Sequence, residues 1–548
     1  MSDMHLASMW EAIADLVGDK PAVIQGDHVL RWRDYDQHAA RLATAFTAAG
    51  LTDGSKVGLF LYNSAEYLVG QYAAFKISGC PINVNYRYLD DELIYLLNNA
   101  DVEAVVFHTS LGDRIDRIRD RLPLAKLFVE VADDASSFSF ATPYAEVLAN
   151  HAPAARRAHD PNGLYMLYTG GTTGMPKGAM YRVGPFSAGM APSFAMIGVA
   201  QPTTMTEFGV AIQRFVAAQP EPRWVPCCPL MHGTGMWVGA MPALTSGGTV
   251  VLLESRGFDA HELLQTCERE GVNNIVIVGD PFARLIANAL DERSESGTPF
   301  PPSTITLIGS SGAMWSMEIK ERLLAHLDTM LYDALGSTEA GAMGAHVMTR
   351  AGVLTQGTST AKFSKDVDMK VIDDNDVEVV AGSGVVGRVV KDVTRGCFGY
   401  YKDDMKTAST FLTIDGVRYV LSGDMASVEA DGTLSFVGRG SQSINSMGEK
   451  IFPEEVEEAV KTHPSIDDCL VVGVTDERFG QRVVAVASVT AGGQRPTPDE
   501  IVAHVKTKLS GYKAPKNVIL VDVVKRAPNG KADYPWAREI AAAVLAQP

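Results

Sequence analysis

The strongest constraint on this chain's fold is a rhythm of short apolar runs alternating with stretches of helical spacing. Ala22-Val23-Ile24, Val57 to Leu61, Val102 to His108 and Leu164 to Tyr168 are short apolar runs, bounded by turns, that read as strands. Between them, Tyr35 to Ala49 carries apolar residues at helical spacing and ends at Gly50, a C-cap residue. The rhythm returns after Thr249. A strand over Val250 to Leu253 leads to a helix over Asp259 to Glu270, and then to strands over Ile275 to Val278 and Ile305 to Ile308. Strands that alternate with helices fold into a sheet covered by helices. Gly309-Ser310-Ser311-Gly312 ends one such strand, which places it at the carboxyl edge of a sheet, where ligands of open α/β sheets bind.

The rhythm changes twice. From Asp368 short strands with Asp415-Gly416 and Asp431-Gly432 turns predict hairpins in a small β unit. After Ser441 a helix over Pro453 to Lys461, a strand over Cys469 to Val474, a helix over Pro498 to Leu509 and a strand over Asn517 to Val521 predict a compact α+β domain. Glu454, Glu455, Glu457 and Glu458 read mostly as the solvated face of the first of those helices. A chain of 548 residues needs more than one core. The fold class expected is therefore α/β, with layered α/β sheets and a small β subdomain in a large N-terminal domain, and a small α+β C-terminal domain.

A net charge of −17 argues against a nucleic-acid partner. Six cysteines without C-x-x-C spacing read as reduced thiols. No basic n-region precedes an apolar stretch at Met1 to His5, and no apolar run approaches the roughly 20 residues of a membrane span. Together these predict a cytoplasmic protein with no transmembrane segment.

The Leu164–Tyr168 strand runs into Thr169-Gly170-Gly171-Thr172-Thr173-Gly174-Met175-Pro176-Lys177-Gly178. Glycines admit backbone N–H groups close to oxygen, threonines add donors, and lysine adds a charge, so the segment suits a polyphosphate. It is not a Walker loop, because Lys177 lies between Pro176 and Gly178 and not before Ser or Thr.

Four further segments carry candidate chemistry. In Asp333-Ala334-Leu335-Gly336-Ser337-Thr338-Glu339, Thr338 offers a hydroxyl and Glu339 suits a divalent cation that bridges phosphates; a helix cap is the plainer alternative. Asp424 ends a strand and Arg439 follows the next, which suits a ribose clamp or an ordinary salt bridge. Ser446-Met447-Gly448-Glu449-Lys450 forms a turn feeding a helix with Pro453 near its start. Lys531 follows a Pro-Asn-Gly turn near the chain's end, where a lone lysine is usually solvated.

In this order the five segments resemble the adenylate-forming superfamily of acyl-CoA synthetases, adenylation domains and firefly-type luciferases. The resemblance covers about residues 10–540. It implies two steps. A carboxylic acid attacks the α-phosphate of Mg-ATP to give acyl-AMP and pyrophosphate, and coenzyme A then displaces AMP. By resemblance, Thr169 to Lys177 cradle the β- and γ-phosphates, Thr338 contacts the α-phosphate and Glu339 holds Mg²⁺. Ser311-Gly312-Ala313 and Asp333 to Ser337 line the adenine site, while Asp424 and Arg439 bind ribose. Lys531 bridges the ribose and the reacting carboxylate, Lys450 contacts nucleotide, and Ser446-Met447-Gly448 meets the thiol substrate. The resemblance also implies an N-terminal domain over 1–438 with its β subdomain at about 368–438, a hinge at 439–441, and a mobile C-terminal domain over 442–548. A homodimer is an expectation of the superfamily only.

The Gly-rich loop, the segment Gly438 to Ser446 and the segment Lys531 to Trp536 look like actinobacterial fatty-acyl and steroid side-chain CoA ligases. A medium- or long-chain fatty acid or a bulky steroid acid is thus the expected substrate. An aryl acid, or an acyl-AMP ligase that loads a carrier protein, is the alternative. His232 matches a gate beside the acyl pocket and reads equally as a core histidine. Three positions depart from the superfamily pattern. Leu335 stands where an aromatic residue is common, and Ser441 stands at the hinge. Gly279-Asp280 replaces an apolar turn, with Asp280 read as the cap of a helix from Pro281 to Leu290 in preference to a substrate contact.

Overall fold

The computed structural model describes residues 3–134, 136–169, 175–353, 362–394, 396–442, 444–446, 449–476, 480–490, 492–527 and 530–545. The chain forms two compact units. The first comprises Met1–Ile277, Thr298–Gly309 and Val393–Phe411, and the second Val278–Gly297, Ser310–Asp392 and Leu412–Pro548.

The first unit bears out the expected βα rhythm. Its first sheet has the order Cys80–Asn83, Lys56–Phe60, Val102–His108, Leu127–Val131, Thr142–Pro143, with every pairing parallel. Such strands are covered on both faces, which is why Val57, Leu59 and Phe60, and Val105, Val106 and Phe107, are all buried. The Ala65–Lys76 helix crosses between the Lys56–Phe60 and Cys80–Asn83 strands, started by the Ser64 side chain, which accepts from the Tyr67 N–H. A second run of paired strands has the order His28–Arg31, Pro21–Gln25, Thr249–Leu252, Arg223–Pro226, Asn274–Ile277, parallel except at its first pairing. The Ala260–Glu270 helix crosses between two of its strands, and Gly271 closes that helix. The Trp32–Ala48 helix ends near its expected point, with Gly50 at a φ of 82°. A third sheet is antiparallel, with Lys177–Arg182 between Leu164–Thr169 and Gly399–Tyr400.

The second unit holds two sheets. One is an antiparallel run of Met330–Ser337, Gly341–Thr349, Lys362–Lys365, Leu434–Arg439, Val417–Val428, Val386–Asp392 and Met369–Ile372. The expected hairpins fall within it. The other contains Glu449–Ile451, Ile444–Ser446, Gly480–Val489 and Ile466–Asp476, with Asn517–Val521 parallel to Gly480–Val489. The Ile466–Asp476 strand serves two cores, as its alternation requires. Cys469 and Val471 pack with the Pro453–Lys461 and Pro498–Lys508 helices, while Leu470 and Val472 pack with Ala537 and Ala541 of the Tyr534–Leu545 helix.

Two sequence expectations fail here. Glu457 and Glu458 are each 7% exposed and do not lie on a solvated face. The Glu457 carboxylate accepts from the Val471 N–H, so the helix uses it to dock on the sheet. Asp280 is not a cap either. The helix runs Gly279–Glu295 with Val278 at its N-cap and no side-chain cap bond. Asp280 instead accepts from the Ser316 N–H and hydroxyl and pairs with Lys461.

All six cysteines are buried and free. Burial pushes the Cys80 and Cys228 thiols up to about 12, so neither suits nucleophilic work at neutral pH. Among the described residues no helix is long and apolar enough to cross a membrane.

Candidate functional site

In the first unit, Thr169 and Lys177 are register partners at the mouth of the Leu164–Thr169 and Lys177–Arg182 hairpin. They bracket Gly170, Gly171, Thr172, Thr173 and Gly174, which lie outside the described residues. Gly178 lets the hairpin close, since a Cβ there would stand 2.8 Å from the Tyr168 ring. The Lys177 ammonium sits 3.5 Å from an Asp403 carboxylate oxygen and 5.8 Å from the Tyr400 ring centre. A partly exposed lysine held by one carboxylate is oriented but remains open to an incoming anion.

His232 follows the strand Arg223–Pro226, and its N–H donates to the Pro229 carbonyl at 3.1 Å. It is half-buried. Asn83 donates to the Met231 carbonyl at 2.7 Å, and Asn63 accepts from the Leu230 N–H at 2.7 Å, so the segment is pinned from two sides. Past it, Thr234–Ala240 winds as a π-helix. Gly235 makes this path feasible, because a Cβ there would lie 2.2 Å from the Pro229 carbonyl oxygen. A π-turn is rare and frequent at functional sites. It was invisible in the sequence, where Gly233-Thr234-Gly235 reads as an ordinary turn.

In the second unit, Ser311 ends the Leu307–Ser311 strand and Gly312 turns the chain at a φ of 95°. The buried Ser310 hydroxyl accepts from the Gly279 N–H at 3.0 Å. Asp333 to Ser337 lie within the Met330–Ser337 strand and not after it. Thr338 and Glu339 occupy the turn to Gly341–Thr349, where the Ser337 hydroxyl accepts from the Ala340 N–H. The helix-cap alternative for Thr338-Glu339 therefore falls away, since no helix follows.

Asp333 is 4% exposed and meets the Lys320 ammonium at 2.7 Å. Burial pushes its carboxyl up, against the pull of Lys320. Its side chain is thus committed to that lysine. Lys320 was not singled out from sequence; its signal is a lysine in an otherwise apolar helix face beside Ile319 and Leu323.

Asp424 is 3% exposed and stands opposite Arg439 in the antiparallel register of Val417–Val428 and Leu434–Arg439. The two residues chosen from sequence as a clamp are thus cross-strand neighbours. The Arg439, Ser441 and Lys450 side chains, and Met447 and Gly448 entirely, lie outside the described residues. Ser446 is buried and is the register partner of Glu449, and Lys450 pairs through its backbone with Asn445.

Lys531 is exposed, just past Gly530, and its carbonyl accepts from the Ala527 N–H at 2.9 Å. Gly530 has a φ of 74°, and a Cβ there would lie 3.2 Å from the Phe282 ring and 3.3 Å from the Val278 carbonyl oxygen. Gly530 therefore packs closely against the start of the Gly279–Glu295 helix. Arg526, just before it, is held by two bonds of 2.6 and 2.7 Å to Asp468. Burial would raise the Asp468 carboxyl, but Arg526 holds it below its ordinary value.

No group of three or more His, Cys, Asp or Glu capable of enclosing a metal is found among the described residues. Magnesium needs only one or two carboxylates when phosphates supply further oxygens, so Glu339 in its turn fits that ion and does not fit a caged transition metal.

The AMP-binding enzyme family matches residues 10–399, and the AMP-binding enzyme C-terminal domain matches residues 455–531. A medium/long-chain-fatty-acid–CoA/3-oxocholest-4-en-26-oate–CoA ligase of Mycolicibacterium smegmatis is 37% identical over 98% of this chain and 96% of its own. A 3-oxocholest-4-en-26-oate–CoA ligase of Rhodococcus rhodochrous is 37% identical over the same shares. Among solved structures, an anthranilate CoA ligase in complex with anthranoyl-AMP aligns with a TM-score of 0.82 at 20% identity, covering 98% of each chain. ATP-bound MatB from Rhodopseudomonas palustris aligns with a TM-score of 0.79 at 21% identity, covering 99% of this chain and 100% of its own. These likenesses carry the fold, and the sequence matches carry the kinship: the chain belongs to the AMP-binding enzyme family.

Proposed function

We propose that this chain is an ATP-dependent acyl-CoA synthetase. It joins a medium- or long-chain fatty acid, or the carboxylated side chain of a steroid, to coenzyme A through an acyl-AMP. The observation that carries the proposal is kinship along nearly the whole chain with ligases named for those acids. The buried Asp424 opposite Arg439 supports the nucleotide part, because a desolvated carboxylate on a strand suits a pair of ribose hydroxyls.

The chemical obstacle in the first step is repulsion between a carboxylate and a triphosphate. Positioned donors and cations offset it. Thr169 and Lys177, with the segment between them, bind the departing pyrophosphate. Thr338 donates to the α-phosphate, and Glu339 would hold Mg²⁺, which supplies charge neutralisation on the phosphates. Ser311 to Ala313 and Asp333 to Ser337 border the adenine, with Leu335 packing where a stacked ring is absent. Lys531 places its ammonium at the reacting carboxylate. In the second step Ser446 to Gly448 face the thiol, Lys450 contacts nucleotide, and His232 gates the acyl pocket. The proposal keeps the domain boundary at 439–441, and a cytoplasmic, dimeric enzyme.

The test is CoA consumption and acyl-CoA formation with ATP across fatty, aryl and steroid acids. Acyl-CoA formation with a fatty or steroid acid is the expected result. Pyrophosphate exchange without acyl-CoA points to a carrier-protein acceptor and overturns the second step. No AMP release with any acid overturns the proposal.

A further inference from the structure

The Asp280 carboxylate and the Lys461 ammonium meet at 3.3 Å, with side chains 5% and 7% exposed. They are 181 residues apart in sequence and join the Gly279–Glu295 helix to the Pro453–Lys461 helix. Nothing in the proposed chemistry uses either residue. Their surroundings are specific. Asp280 Oδ1 is occupied by the Ser316 N–H at 2.8 Å and hydroxyl at 3.0 Å, which leaves Oδ2 for Lys461. A second, more exposed pair, Arg284 with Asp467 at 3.7 Å, joins the same helix to the same part of the chain. The same helix start, at Val278 and Phe282, is what Gly530 packs against. Three contacts thus converge on one helix, and the residue after the third is Lys531.

We propose that the buried Asp280–Lys461 pair is the positioning device that holds the Lys531 turn against the Gly279–Glu295 helix for adenylation. This rests on the role given to Lys531 above. The pair is suited to the task by its physics. A buried ion pair is a poor source of net stability but a sharp geometric constraint, because either charge left alone in the interior is strongly disfavoured. The seated arrangement is therefore favoured only while both charges meet, and an arrangement that separates them must return both to water. Lys461 keeps its charge in this place: burial alone would lower its pKa, and Asp280 and Glu458 outweigh that and raise it.

The test separates the half-reactions. Lys461→Met should slow ATP–pyrophosphate exchange at least tenfold in kcat, with the KM for the acid little changed. Thioester formation from supplied acyl-AMP should stay within about twofold. Lys461→Arg should recover most of the exchange rate. Asp280→Asn, whose carbonyl oxygen can still accept from Ser316, should give the same split if Lys461→Met does not fold. The pose is read independently of chemistry by a short bismaleimide cross-link between Arg284→Cys and Asp467→Cys, since all six native cysteines are buried. Cross-linking should be at least fivefold slower when Lys461→Met is added. Equal loss of both half-reactions, no loss of either, or unchanged cross-linking overturns the proposal. If no acid supports exchange in the unsubstituted chain, the enzymatic reading fails, and the cross-link alone decides whether the pair holds the pose.

Discussion

Glu458 lies on the same helix as Lys461, 7% exposed, with its Oε2 buried and without a hydrogen-bond partner among the described residues. Burial pushes its carboxyl from an ordinary 4.5 up to about 7; Lys461 and Lys320 pull it down, and Asp280 and Glu457 push it further up. The sign of the consequence follows. The folded chain holds this proton more tightly than the unfolded chain. The contribution to stability is thus full below about pH 4.5 and is lost as pH rises through about 7. At about 1.4 kcal/mol per pH unit, the span from 4.5 to about 7 sets a ceiling of about 3 kcal/mol. Glu458→Gln keeps the shape and removes the titration. Hydrogen exchange at the Pro453–Lys461 amides is the assay, with variant and wild type compared at the same pH so that intrinsic exchange cancels. At about pH 8 the variant should be more protected by up to about a hundredfold, relative to the gap seen at about pH 5. A gap between variant and wild type that is the same at both pH values would refute the argument, because any cost of the amide itself is independent of pH.

Lys531→Ala should cut adenylation by about a hundredfold or more, the scale of losing one charge-stabilising donor, while thioester formation from supplied acyl-AMP is largely kept; equal loss in both half-reactions contradicts the role. Asp424→Asn should raise the KM for ATP by about tenfold, the worth of one hydrogen bond to a charged group, and leave the KM for the acid unchanged in steady-state assays. Gly235→Ala places a Cβ 2.2 Å from the Pro229 carbonyl oxygen, and should destabilise the first unit by about 1–3 kcal/mol, read as a lowered denaturant midpoint.

The sheets were legible because a parallel strand buried on both faces is written as a continuous apolar run, as in Val102 to His108. The hairpins were legible through Asp415-Gly416 and Asp431-Gly432, whose glycines take φ of 79° and 83°. Asp424 does not end its strand and Arg439 does not follow the next, as the sequence suggests: both lie within longer strands, Val417–Val428 and Leu434–Arg439, whose register sets them opposite each other. Glu457 and Glu458 defeated the same reading. On a helix such charges are ordinarily solvated, but Glu457 accepts from the Val471 N–H of a strand, a tertiary contact that the helix's own pattern does not announce. The Asp333–Lys320 pair and the π-turn after Gly233 were hidden for related reasons, one set by tertiary contact and the other by a backbone path that only Gly235 permits.

The Ile466–Asp476 strand, whose alternate residues feed two separate cores, also determines where this part of the chain tolerates insertion and deletion. Its partner strand matches it from Asp468 to Asp476 without a bulge. Losing one residue there would carry Leu470 and Val472 to the face of Cys469 and Val471, and the reverse, through the rest of the strand. Losing two would restore the faces and shorten the ladder. Length variation among relatives should therefore be excluded from this strand and confined to the segments on either side of it, so that the spacing from Lys461 to Arg526 is held by the sheet and not by the loops.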